Sequence, residues 1–241
     1  MLFLYKEKIA QWNWFDEECV SSTNDSIKEI PLEQHPAVIS AVKQTKGRGR
    51  RGRKWYGKDG NLYMTFSLDI PPFELSRYVC LIGLSLAKTI KSLNNDVVVQ
   101  IKWPNDIFLA HKKVTGMLLE NIKNDLWAIG IGVNIIQFPK LNGQIYHATS
   151  LKEQGIIIER TEFLRLFLKN LDKDIQCYKK QGFEAVRKSW LEYAMYLNQE
   201  ITVQNGTSIL KGIFLTLDEN GYLILKTNHG TERIIAGDLF K

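Results

Sequence analysis

Between Lys46 and Lys58 the chain carries seven cations, Lys46, Arg48, Arg50, Arg51, Arg53, Lys54 and Lys58, interleaved with Gly47, Gly49 and Gly52 and with no acid among them. So dense a charge cannot enter a core, so the fold must present this stretch as a loop at a surface or a cavity. The flanks agree. Ala37–Val42 is apolar and β-branched, and Asn61–Leu68 alternates Leu62, Met64, Phe66 and Leu68 with polar neighbours, so two strands bracket the loop. Of the 32 basic residues, 25 lie outside the window against all 26 acidic ones, so the chain's net charge of +6 resides in this loop. Like charges held this close repel, and an anion is the simplest reason to confine them. The glycines let backbone N–H groups approach such an anion as closely as the guanidinium forks do.

The bulk numbers narrow the class. With 241 residues, 44% hydrophobic and 11% aromatic, the chain reads as an ordinary soluble globular protein of one domain, or of a large and a small one. No apolar run is long enough to span a bilayer, so no membrane association is expected. At the N-terminus Leu2-Phe3-Leu4-Tyr5 precedes Lys6, Glu7 and Lys8, the reverse of a signal peptide, and reads as a first strand. Cys19, Cys80 and Cys177 are odd in number and far apart, which suits a reducing cytoplasm better than a disulfide framework or a zinc site. His35, His111, His147 and His229 form no metal-ligand spacing, and no metal site of the protein's own is expected.

Periodicity lays out the rest. Cys19–Asp25 reads as a loop running into a helix capped by Thr23 or Asn24, with Ile27, Ile30 and Leu32 facing inward. Tyr78, Leu81, Ile82, Leu86 and Ile90 recur at helical spacing within Leu75–Leu93. Strands are expected at Val97–Trp103 and Trp127–Ile135, a β-ribbon near Ile107–Leu119, and helices at Thr161–Tyr178 and Phe183–Tyr196. After that the character changes. Ile201–Val203, Ser208–Leu217, Tyr222–Thr227 and Thr231–Ile235 are short strands separated by Asn205-Gly206, Asn220-Gly221 and His229-Gly230, spaced like a small antiparallel barrel. The expected organisation is an α+β domain over residues 1–197 and a small all-β domain over 198–241.

Four motifs carry chemistry, and each has a plainer reading. Gly47-Arg48-Gly49-Arg50-Arg51-Gly52 matches the G-x-G-x-x-G dinucleotide fingerprint, but that turn must open a helix and this one leads to a strand. A solvated glycine-arginine segment gripping RNA is the plain alternative; the run is short, internal and flanked by strands. Lys102-Trp103-Pro104-Asn105-Asp106 delivers an amide and a carboxylate at a strand end, where an Asn-Asp pair after proline is more often only a turn. Lys113-Val114-Thr115-Gly116-Met117-Leu118-Leu119-Glu120 sets a cation beside an apolar strand; such a lysine is ordinarily solvated. Gly130-Ile131-Gly132-Val133-Asn134 is a strand whose glycines mark a bulge, tight packing or a ligand.

Taken in order, Ser22-Thr23-Asn24, Gln44 with GRGRRGRKW, KWPND, KVTGMLLE and GIGVN resemble the biotin protein ligases (biotin–[acetyl-CoA-carboxylase] ligases) over nearly the whole chain. The resemblance implies a catalytic domain like that of class II aminoacyl-tRNA synthetases, a mixed sheet flanked by helices, with an SH3-like barrel appended. Some members place a winged-helix DNA-binding domain ahead of the Ser-Thr-Asn motif. Here that motif begins at Ser22, so no DNA-binding domain is expected. The implied reaction joins biotin to ATP with Mg2+ as biotinyl-5′-AMP, then passes biotin to a lysine of a biotin carboxyl carrier domain. Both nucleophiles belong to substrates, which suits a chain with no evident Ser-His-Asp or Cys-His arrangement. The protein's task would be positioning and charge stabilisation.

Motif by motif, the resemblance implies that Ser22, Thr23, Asn24 and Gln44 contact biotin's ureido ring, while Gly116 and Leu118 wall the bicycle. Arg48, Gly49 and Arg50 would hold the carboxylate and then the adenylate phosphate, with Lys113 facing them; Arg48, Arg50 and Lys113 are the candidate catalytic cations. Arg50, Arg51, Arg53, Trp55, Lys102, Asn105, Asp106 and Asn134 would serve the nucleotide, Asn105 and Asp106 by orienting Mg–ATP. A lipoate ligase or octanoyltransferase shares the implied fold, but the His-Asp pair of those families is not found here. The oligomeric state stays open, a homodimer included.

Overall fold

The aromatic and β-branched runs pair into one eight-stranded sheet in the computed structural model, which describes residues 3–57, 59–139 and 147–241. In chain order the elements are β1 (Tyr5–Ile9), β2 (Trp12–Val20), α1 (Thr23–Ser26), β3 (Ala37–Gln44), β4 (Leu62–Asp69), α2 (Leu75–Leu93), β5 (Val99–Lys102), β6 (Asp106–Leu109), β7 (Lys112–Lys123), β8 (Leu126–Val133), α3 (Arg160–Gln181) and α4 (Phe183–Glu192). Strand order is β1-β2-β3-β4-β8-β7-β6-β5, with β2 and β3 parallel and every other pair antiparallel. The parallel step is what sends the chain through α1 and returns it at Ala37, so that the helix and the end of β3 lie side by side.

One sheet face is covered by α2, α3 and α4. The interface is aromatic: Trp12 meets Phe66 edge-on at 5.6 Å between centroids, Phe66 meets Phe167 at 6.2 Å, and Tyr78 of α2 meets Tyr178 of α3 at 5.2 Å. Each such side chain contributes about 1.5–3 kcal/mol on burial. The helical spacing over Leu75–Leu93 defines α2 to the residue, and helix ends were anticipated within a few residues elsewhere.

Differences from the sequence reading have local causes. Ser22, not Thr23 or Asn24, occupies the N-cap position of α1, which puts both of the latter inside the helix and buries them. Leu32 lies in a short 3-10 turn and is exposed, while Ile27 and Ile30 are buried as expected. β2 was not anticipated, because Asp16-Glu17-Glu18 interrupts its apolar pattern. In β4 the polar residues Thr65 and Ser67 are as buried as their apolar neighbours, so the strand is covered on both faces rather than one. The basic loop makes a single 3-10 turn at Arg50–Gly52 and opens no α-helix, in keeping with rejection of the dinucleotide fingerprint.

The last elements, β9 (Glu200–Asn205), β10 (Ser208–Leu217), β11 (Leu223–Thr227), β12 (Gly230–Ile234) and β13 (Asp238–Phe240), form a second, antiparallel sheet in the order β12-β11-β10-β9-β13. The final strand, β13, is too short to show in a pattern, and it pairs with β9. Phe214, Leu217, Leu223 and Leu225 join the same apolar core as α2. The turn at Glu219–Gly221 is fixed to α2 and to the end of β5: Arg77 Nε donates to Glu219 O at 2.9 Å and Trp103 Nε1 to Gly221 O at 3.1 Å. No helix of the described residues is long and apolar enough to cross a membrane.

Candidate active site

On the sheet face away from α2 and α3, a cavity of about 490 Å³ lies between α1, the mid-strands of β7 and β8, the basic loop and β13. One end is neutral and polar. Thr23 donates through its backbone N–H to Gln44 Oε1 at 2.8 Å, and its hydroxyl donates to the same oxygen at 3.1 Å. The Thr65 hydroxyl, wholly buried in β4, lies 2.7 Å from Asn24 Oδ1 and 2.8 Å from Thr23 Oγ1. Ser22, Thr23, Asn24 and Gln44 therefore line one corner, as the motif reading brought them together, and Thr65 fixes it from behind.

The two glycines of β8 admit this arrangement. A Cβ on Gly130 would stand 2.0 Å from Asn24 Oδ1, and one on Gly132 would stand 2.4 Å from the Trp55 indole. Close approach, not a bulge, is the reason for both. Gly116, Met117, Leu118 and Ile131 form the walls between them.

The other end is cationic, and the loop residues divide by direction. Arg50 reaches over the cavity and donates to Asn105 Oδ1 at 2.9 Å. Burial lowers its pKa, the mark of a desolvated guanidinium. Lys113 pairs with Asp106 at 2.8 Å and stands 5.8 Å from the centroid of the Trp55 ring. Lys102 is buried in the wall, 5.9 Å from the Phe240 ring, and burial pushes its pKa down to about 8. Arg53 borders the cavity and pairs with Asp238 of β13. Arg51 does not join them. Its backbone is left-handed, at φ 55°, and turns the side chain outward to Asp238 at 3.1 Å and to Asn205 of the second sheet. The Arg48 guanidinium is likewise engaged elsewhere, bidentate on Asp25 and bonded to Glu120, although the residue lines the cavity. Asn134 lines the far side, its amide donating to Thr149 O at 3.1 Å.

Sequence reasoning missed Asp25, Thr65, Glu120, Asp238 and Phe240. Asp25 directly follows the Ser22-Thr23-Asn24 motif and Glu120 ends the Lys113–Glu120 motif, which gave neither a role, so their charge in a chain with an arginine-rich loop was a usable signal. Asp238 and Phe240 sit in a short strand with none.

Among the described residues no histidine or cysteine lines the cavity, and none form a cluster of His, Cys, Asp and Glu suited to a metal ion. The site can hold a neutral hydrogen-bonding head at one end and concentrate anions at the other. Such a cavity suits a substrate with a neutral hydrogen-bonding head and an anionic tail.

Comparison with known proteins agrees. Residues 17–135 match the Biotin/lipoate A/B protein ligase family, and residues 196–241 match the Biotin protein ligase C terminal domain. The Biotin--[acetyl-CoA-carboxylase] ligase of Paracoccus denitrificans is 32% identical over 238 residues, covering 91% of this chain and 96% of that protein. The Bifunctional ligase/repressor BirA of Bacillus subtilis is 30% identical over 253 residues, covering 98% of this chain and 76% of that protein. Among solved structures, the biotin protein ligase from Aquifex aeolicus in complex with biotin and ATP superposes with a TM-score of 0.84 at 30% identity, covering 94% of this chain and 97% of that one. The chain belongs to the biotin protein ligase family.

Proposed function

We propose that the chain uses ATP to activate biotin as biotinyl-5′-AMP and transfers the biotinyl group to a lysine of a biotin carboxyl carrier domain. The observation that carries the reading is the polarity of the cavity: Thr23, Asn24 and Gln44 at one end, and Arg50, Lys102 and Lys113 converging on the other. A ureido ring offers one carbonyl acceptor and two N–H donors, which hydroxyl, amide and backbone groups can match. Its apolar bicycle and chain suit the walls at Gly116, Leu118 and Ile131.

In the first step an oxygen of biotin's carboxylate attacks the α-phosphorus, and the bond from that phosphorus to the bridging oxygen breaks to release pyrophosphate. Two anions must be brought together, and Arg50 and Lys113 supply charge where they meet. Lys102, Arg53 and Asn134 all line the cavity; this reading gives the departing phosphates to Lys102 and Arg53 and the base to Asn134. Mg2+ would arrive as the nucleotide's counter-ion, and Asp106 is a carboxylate the wall offers it. In the second step the neutral amine of the carrier lysine attacks the carbonyl carbon, loses a proton, and AMP departs. Arg48 takes a different part in this reading: with its guanidinium on Asp25 and Glu120, it anchors the loop beside the ureido corner. Arg51 anchors the loop's outer side to the second sheet.

Incubation with biotin and Mg–ATP, with pyrophosphate release followed in the presence and absence of a carrier domain, tests the function. Biotin-dependent release with label on the carrier lysine is expected. Release driven by lipoate or octanoate, but not by biotin, would overturn the choice of substrate.

A further inference from the structure

Arg48, Arg51 and Arg53 each form an ion pair with a carboxylate; Arg50, among the described residues, forms none. Its partners are neutral: Asn105 Oδ1 at 2.9 Å from Nη1 and the carbonyl of Gly237 at 3.5 Å from Nη2. Asn105 is itself held firmly. It is buried, its Nδ2 donates to Met117 O at 2.6 Å, and its own carbonyl accepts from Met117 N at 3.2 Å. The carboxamide thus ties β7 on one side to the loop arginine on the other. The next residue, Asp106, takes Lys113 instead.

The choice of amide over acid has a physical consequence. A carboxylate at position 105 would hold Arg50 as well or better, but it would cancel the charge and compete with an incoming anion at low local dielectric. A carboxamide oxygen orients the guanidinium and leaves its charge intact. The need for orientation is also visible. A second cavity of about 200 Å³, lined by Leu75, Val79, Trp103 and Pro104, lies on the far side of the Arg50–Asn105 pair, which both cavities share as a wall. Without the amide, Arg50 has free space to turn into, away from the substrate.

We propose that Asn105 is a positioning residue for adenylate retention: a neutral acceptor that holds Arg50 over the cavity without neutralising it. This rests on the reading of Arg50 as the clamp on the activated intermediate, and it assigns Asn105 to that arginine rather than to Mg–ATP.

The test is a double-mutant cycle read as the dissociation rate of preformed biotinyl-5′-AMP, measured by chase with unlabelled biotin. Arg50→Ala and Asn105→Ala should each speed release about tenfold or more, as expected for loss of a hydrogen bond to a charged group. The double variant should release no faster than Arg50→Ala alone, because Asn105 acts only through the arginine. Asn105→Asp keeps the shape of the side chain, so it serves if the alanine variant does not fold, and it should also retain the adenylate poorly. Multiplicative effects in the double variant, or wild-type retention in Asn105→Asp, would overturn the proposal. Wild-type retention in Arg50→Ala would overturn the clamp reading itself, which separates that failure from the failure of Asn105's role.

Discussion

Arg48 and Asp25 face each other through two parallel hydrogen bonds, Nη1 to Oδ2 at 2.7 Å and Nη2 to Oδ1 at 2.5 Å. The first arginine of the cationic loop is thereby fastened to α1, the helix that carries Thr23 and Asn24. Glu120 of β7 holds the same guanidinium from the other side, and Lys28 completes the cluster. The ureido corner and the cationic loop are thus one mechanical unit, joined at Arg48.

Loosening that joint should therefore weaken biotin binding without touching a biotin contact. Asp25→Ala leaves Glu120 as a partner, and the pair is partly exposed, so the loss is put at about 0.5–1 kcal/mol. Biotin affinity by calorimetry should fall a few-fold, with the melting temperature nearly unchanged. The hydrogen bond from Arg48 holds the Asp25 carboxyl below its ordinary pKa. A depressed carboxylate stabilises above its unfolded pKa and loses that contribution as pH falls through the folded one, so anchoring should be constant near neutrality and fail only below about pH 4. Hydrogen exchange in residues 46–53 that rises already between pH 7 and 6 would contradict this.

What could be read in advance follows the range of the interactions. α2 was legible to the residue because its apolar spacing is local. β2 was not, since the partner that makes Asp16 tolerable there is Arg160 of α3, held through two 2.9 Å hydrogen bonds. Nothing near Asp16 in the chain announces that pair. The neutral corner was legible as the motif residues Thr23, Asn24 and Gln44, but Thr65 was hidden in a strand whose alternation placed it on a solvent face. Charge pattern located the loop and could not say which arginines point inward, because that depends on Asp25, Asn105 and Asp238 arriving from distant parts of the chain.

The glycines of β8 should separate the two halves of the site. In Gly130→Ala the new methyl displaces Asn24, whose buried Oδ1 loses the Thr65 hydroxyl while Thr65 keeps Thr23, and an orphaned buried polar atom costs about 1–3 kcal/mol. Biotin affinity should drop about tenfold or more on that basis. In Gly132→Ala the methyl meets the Trp55 indole instead, so adenylate formation should slow while biotin affinity is largely kept. Equal loss of biotin affinity in both variants would refute the division.

Asp238 holds Arg51 and Arg53 against β13, so it should control how open the loop is before substrates arrive. Burial raises its pKa, but the Arg53 hydrogen bond and the charges of Arg53, Arg51 and Arg50 outweigh that and leave it below the ordinary value. Asp238→Asn removes the charge and keeps the shape. Trypsin, which cuts after arginine and lysine, should then cleave within residues 48–54 several-fold faster in the ligand-free protein, and biotin with ATP should restore protection. Cleavage at the wild-type rate would show that the second sheet does not restrain the loop.

Lys102 gives the site a pH dependence on the alkaline side. Burial is the main cause of its pKa of about 8, with Lys113 and Arg53 lowering it further and Asp106 and Asp238 partly opposing them. Below pH 8 the folded protein bears the cost of a buried ammonium; between about 8 and the ordinary lysine value the unfolded chain binds the extra proton, so stability from this group rises with pH. Nucleotide binding should run the other way. Phosphates favour the ammonium, so above about pH 8 each nucleotide bound must bring a proton with it, and ATP affinity should fall by up to about tenfold per pH unit. Calorimetry in buffers of different ionisation enthalpy should report that proton uptake directly. Lys102→Arg, charged throughout, should flatten the ATP profile and leave biotin affinity as it was. An ATP affinity that stays level from pH 7 to 9.5 in the unaltered protein would place the Lys102 ammonium away from the phosphates.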